Sequence, residues 1–370
     1  MAGVVEFFLR QSASEQIVFR GLREPGSLDA LTAAEWDRLL RGARRAGVLS
    51  RLAVVSCQNL DSRDLSPQIL DQLSAARLVA RHHERTLRWE VNRVRRALQP
   101  TAERIVLLKG AAYLLAGLPA GAGRLASDVD ILFPKDRLDI VERALVDAGW
   151  KTMKLDPYDQ RYFREWMHEL PPMRHETRGT VLDVHHTILP ETARLRPDAG
   201  KLIESIVEID DNLFVLAAED MVLHSATHLF ADGDLEGGLR EVVDLDSLFR
   251  HFGGVKSDFW DRLVPRSEEL NLQRPLFYAL RVCRRLLDTP IPENVTEASR
   301  AGRPWWPATP VMESLARRAL LPDTDGINWR TGAALWILYV RSHWMCMPIH
   351  LLVQHLTRKT LRKWFGEGET

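Results

Sequence analysis

Cysteine is scarce. The 370 residues hold three (Cys57, Cys283, Cys346), odd in number and far apart. That excludes a disulfide scaffold and a Cys-based zinc module, and it points to a reducing, cytoplasmic setting. A surplus of either charge is missing as well, with 50 Lys plus Arg against 50 Asp plus Glu. No overall field gathers nucleic acid, so an anionic partner must be held by local chemistry. There is no Walker A loop, no Gly-x-Ser-x-Gly elbow, no His-Glu-x-x-His pair and no internal repeat. Glu6 and Arg10 break the opening apolar stretch, so no secretory leader is expected there. A long uncharged apolar run is also lacking. The nearest approach, Thr331–Thr357, contains Arg341, His343, Pro348, His350, Gln354 and His355. It reads as two core helices bent near Pro348. The basic tail beyond it (Arg358, Lys359, Arg362, Lys363) leaves a peripheral membrane contact through 331–363 as the alternative.

What is present is ordinary globular material, 45% hydrophobic and 27% charged, with 11 Trp and 12 Phe among periodic apolar residues. Four regions follow from its texture. Residues 1–100 read as helices, the last marked by the stripe Leu87, Val91, Val94, Leu98. Arg77, Arg81, Arg85 and Arg88 line a second face of the same helix, either a clamp for a polyanion or a solvated basic face. Residues 101–190 alternate strand and helix. Ile105–Leu108 ends in Lys109-Gly110, Ala111–Leu118 is helical, and Ser127–Phe133 is a second strand. Leu138–Ala148 is an amphipathic helix stopped by Gly149, and Trp150–Leu155 and Thr180–Ile188 complete the unit. From Leu202 the chain reads as helical throughout, in a region 191–300 and a C-terminal region 301–370.

Asp128 and Asp130 stand at i and i+2 in an apolar run, so a strand turns both carboxylates to one face. Two like charges side by side are costly unless a cation sits between them. Asp183 joins His185 and Thr187 on the inward face of a second apolar strand, where a lone carboxylate is expensive to bury. Three carboxylates on two strands suit a pair of hard cations, Mg²⁺ first and Mn²⁺ second. His224 and His228 at i and i+4 form a weaker zinc candidate, more readily understood as core histidines. Arg240 and Asp244 at the same spacing are expected to pair. His168 and His175 flank Pro171-Pro172 in a stretch that is a candidate strand paired to 180–188, and both are expected at the surface.

The series Leu-Lys109-Gly110-Ala111, Arg124-x-x-Ser127-Asp128-x-Asp130 and Leu-Asp183-x-His185 resembles the nucleotidyltransferase fold of the DNA polymerase β superfamily, over roughly residues 85–250. It is similar in flavour to a bacterial branch of uncharacterised nucleotidyltransferases. The resemblance implies an α+β fold, a small mixed-sheet core between helical N- and C-terminal regions. It implies that Asp128, Asp130 and Asp183 ligate two metals, with Asp183 helping to deprotonate an acceptor hydroxyl. Lys109, Gly110, Ala111, Arg124 and Ser127 would then face an NTP, ATP by preference. His185, His228, Arg240 and Asp244 would be secondary contacts. The sequence departs from the family at Ala111, where a serine hydroxyl is usual. The implied reaction is nucleotidyl transfer to an unknown acceptor. The competing expectation is a nucleotide-binding or assembly protein that keeps the fold without catalysis.

Overall fold

A computed structural model of the chain describes residues 13–59, 65–153, 157–232, 235–306, 308–320 and 329–348. Four helices open it: α1 (Ala13–Arg23), α2 (Ala33–Arg45), α3 (Leu49–Asn59) and α4 (Pro67–Leu98). Local chemistry sets their starts. Thr32 caps α2 in a reciprocal box with Glu35, and Ser66 caps α4 ahead of Pro67 at its first position. The stripe Val91, Val94, Leu98 is buried, whereas Arg81, Arg85 and Arg88 are exposed. Arg88 pairs with Glu84 on its own helix at 3.2 Å, as a solvated face would.

Next come β1 (Ile105–Leu107), α5 (Lys109–Leu115), β2 (Asp128–Leu132), α6 (Leu138–Asp147), β3 (Trp150–Thr152), α7 (Pro157–Trp166), β4 (Met173–His175) and β5 (Val181–His185). Gly149 ends α6 with φ +97°, a conformation that favours glycine, beside the ring of His175. One correction concerns the next stretch. The chain is not helical throughout after Leu202: α8 (Ala199–Glu204) is followed by β6 (Val207–Asp210) and β7 (Leu213–Val215). These are three and four residues long, too short to leave a clear period in the sequence.

The seven strands of the described residues form one mixed sheet in the order β3-β4-β5-β2-β1-β7-β6. β2 lies antiparallel to β1 and parallel to β5, in a register that sets Asp130 opposite Asp183. The rest is helical: α9 (Ala218–Thr227), α10 (Leu239–Val255), α11 (Phe259–Glu269), α12 (Gln273–Leu287), α13 (Glu293–Ala298), α14 (Ala308–Leu320) and α15 (Trp329–Cys346). A five-residue π-helical turn, His228–Asp232, follows α9. Every residue of α9 is buried, including Glu219 and Asp220, whose charges are met by Arg262 and Arg266 of α11. The fold is thus α+β with helices flanking a mixed sheet. Helix α15 stops before Pro348, as expected, while the second helix expected beyond it and the basic tail lie outside the described residues. Among the described residues, no helix is long and apolar enough to cross a membrane.

Candidate functional site

Parallel pairing of β2 and β5 brings Asp128, Asp130 and Asp183 together, each offering a carboxylate oxygen within 4.8 Å of the others. Asp130 is buried, and Asp128 and Asp183 are partly so. Oδ1 of Asp183 is buried with no hydrogen-bond partner. Burial, and then the neighbouring Asp130 and Asp128 charges, push the Asp183 carboxyl up to about 7 against the pull of Lys109. An orphaned oxygen among three converging carboxylates is a donor set suited to a hard divalent cation.

Asp130 is held differently. Lys109 Nζ lies 3.2 Å and His185 Nε2 3.1 Å from its Oδ1. Burial alone would raise this carboxyl, but the Lys109 charge and the His185 contact overcome it and hold it well below the usual range. Lys109, at the turn from β1 into α5, has φ +44°, which is uncommon for a residue with a side chain. His185, on the same face of β5 as Asp183, holds Asp130 of the neighbouring strand. Its Nδ1 lies 3.3 Å from Glu169, and its ring stacks on His168 at 5.2 Å. Glu169, His185 and Asp130 thus form a chain of carboxylate, imidazole and carboxylate, buried at His185 and Asp130 and partly exposed at Glu169. A second correction follows: His168 and His175 are both buried, not at the surface. The bridge from Glu169 to His185 and the strand β4 draw that polar stretch into the sheet.

Gly110 and Arg124 depend on each other. A Cβ at Gly110 would collide with the Arg124 guanidinium, which is pinned by Asp244 at 2.7 Å. Asp244 also accepts from Arg51 of α3 at 2.8 Å, so two arginines share one buried carboxylate. Arg240 does not pair with Asp244. It donates to the Leu125 carbonyl at 3.1 Å, tying α10 to the loop before β2. His228 Nδ1 meets Glu241 at 3.2 Å. Ser127 Oγ donates to Asp128 Oδ1 at 3.4 Å, and Ala111 is buried in α5. His224 is buried on α9. Burial, then the charge of Lys109, keep its ring neutral.

The family described as uncharacterised nucleotidyltransferase matches residues 32–288, well over half of the chain. The chain belongs to this family. The match takes in the three aspartates, the Lys109-Gly110 turn and helices α2 to α12. No curated protein and no solved structure matches the chain. Within this member, Glu169, Glu241 and Arg51 are the polar groups of the site region that sequence reasoning missed. Glu169 sits in the stretch that includes His168, a pairing that could have drawn attention to it. Arg51 and Glu241 leave no such signal, because their partners lie 193 and 13 residues away.

Proposed function

We propose that this nucleotidyltransferase-family protein transfers a nucleoside monophosphate from an NTP, ATP by preference, to a hydroxyl of its acceptor, with release of pyrophosphate. The observation that carries the reading is the convergence of Asp128, Asp130 and Asp183 around the unpartnered Oδ1 of Asp183. Two Mg²⁺ ions held by these carboxylates, or Mn²⁺ in their place, would stabilise the charge on the attacking and leaving oxygens of an in-line displacement. The chain's own groups do the remaining work. Asp183, which would complete the metal site, is the carboxylate that would help take the proton of the acceptor hydroxyl. Lys109 and His185 fix Asp130 from the protein side. Lys109, Gly110, Ala111 and Ser127, around the β1–α5 turn and the start of β2, would meet the triphosphate. Arg124 and Asp244 bind each other and enter the reading by holding that turn in place. His228 and Arg240 fill a supporting role on the loop side.

The test is pyrophosphate release with a panel of NTPs and Mg²⁺, comparing the wild type with Asp128→Asn and Asp183→Asn. Release that depends on NTP and is lost in both variants supports the enzyme. Tight NTP binding with no release supports instead a nucleotide-binding protein that keeps the fold, a reading favoured by the missing hydroxyl at Ala111.

A further inference from the structure

Helix α15 carries large apolar side chains on its outward face as well as its inward one. Its inward positions Thr331, Ala334, Leu338, Ser342 and Met345 are buried, and two of them are hydroxyl residues. Its outward positions include Trp329, Trp336, Ile337 and Trp344, exposed to 78%, 66%, 44% and 42%. With Ala333 and Val340 between them, these positions fall within an arc of about 100° at the helical repeat. No formal charge lies within that arc. Arg330 borders it, and Arg341 turns inward to donate to the Phe230 carbonyl at 2.8 Å. A solvated helix carries its polar residues outward, so this face is made for a cover. Trp305, Trp306 and Val311, in and just before the adjoining α14, are exposed to 76%, 63% and 52%.

We infer that this aromatic face docks on the headgroup region of an anionic bilayer, with α15 lying in the membrane plane. Three observations fit a bilayer. Tryptophan, an apolar ring with one polar N–H, is the side chain best matched to the membrane–water boundary. The face from Trp329 to Trp344 is about 22 Å long at 1.5 Å per residue, yet the helix is not apolar enough to span. The sequence that follows supplies Arg358, Lys359, Arg362 and Lys363 within six positions, complementary to anionic lipid and local in a chain of zero net charge. The inference stands apart from the proposed reaction, because α15 contributes none of the three aspartates.

The test is flotation of the full chain with vesicles of one part phosphatidylglycerol to two parts phosphatidylcholine, against phosphatidylcholine alone. The wild type and Asp128→Asn are expected to float equally with the anionic vesicles and less with the neutral ones. The double variant Trp336→Ser, Ile337→Ser removes exposed side chains. It should keep the wild-type Tm and lose roughly tenfold in partition. Arg358→Gln with Lys359→Gln should weaken binding to anionic vesicles only. Absence of flotation overturns the inference, and so does equal flotation of the Trp336/Ile337 variant. A wild-type dimer in sedimentation velocity that this variant abolishes, without flotation, overturns it in favour of a second copy.

Discussion

Glu241 shows how much one side chain near the site depends on its neighbours. Burial would raise its carboxyl, but His228, through charge and a hydrogen bond, and then Arg240 and Arg124 hold it at about 2. Because the folded value lies below the ordinary carboxylate value of 4.5, the pairing stabilises the fold fully above that pH. The stabilisation is lost as pH falls through 4.5 toward 2. Glu241→Gln should therefore lower stability by about 2–3 kcal/mol at neutral pH. Its Tm deficit should shrink toward pH 3 or so, and a constant deficit across that range would refute the assignment. Gly110 makes a different demand. The atom an added methyl would strike is the end of a side chain, normally free to swing away, but Arg124 is buried and ion-paired. Gly110→Ala should thus cost roughly 1–3 kcal/mol by unfolding assay, more than an exposed helical glycine would. Arg124→Ala should relieve much of that cost.

Between elements, Asp244 is the joint where three parts of the chain meet: Arg51 from α3, Arg124 from the loop before β2, and α10 itself. Removing the carboxylate leaves two buried guanidinium groups facing each other. Asp244→Ala should cost about 3–5 kcal/mol, read as a loss of urea midpoint, with any activity of the folded fraction preserved. A Tm near that of the wild type would show that the arginines find other partners. This joint was illegible in the sequence, whose local spacing pointed to Arg240 as the partner of Asp244. A buried carboxylate is matched by whatever cation the fold brings up, and nothing in a one-dimensional pattern records a contact between positions 51 and 244. What was legible had a local cause. Apolar alternation around Asp128 and Asp130 placed β2, the run around Asp183 placed β5, and Gly149 placed the end of α6. The strands β6 and β7 were not legible, since they form because β1 offers an edge for Leu213–Val215. The same holds for His185. Its facing direction could be read from alternation, but its choice of Asp130 depends on the stagger between two strands.

At the scale of the whole molecule, the sequence divides by texture into four regions, yet the packing does not divide with it. One contiguous apolar core runs from Ile17 in α1 through the sheet to Leu338 in α15. Polar ties cross the same boundaries. Arg51 of α3 reaches Asp244 of α10, and Glu90 of α4 is buried against Arg178 beside β5 at 3.1 Å. Arg23 of α1 donates to the Leu286 carbonyl at the end of α12 at 2.6 Å. A cooperative unit is defined by such shared burial, because no part can open without exposing apolar surface and unpaired charges on the others. The described helical N-terminal region is therefore expected to unfold together with the sheet and the C-terminal helices. In calorimetry the chain should show a single main transition, with the van't Hoff enthalpy close to the calorimetric one. The N-terminal helices supply Arg51 and Glu90 as well as core residues. A fragment beginning at residue 101 should accordingly lack a cooperative transition. Two well-separated transitions, or a fragment from 101 onward that melts sharply, would show instead that the textural boundary is a thermodynamic one.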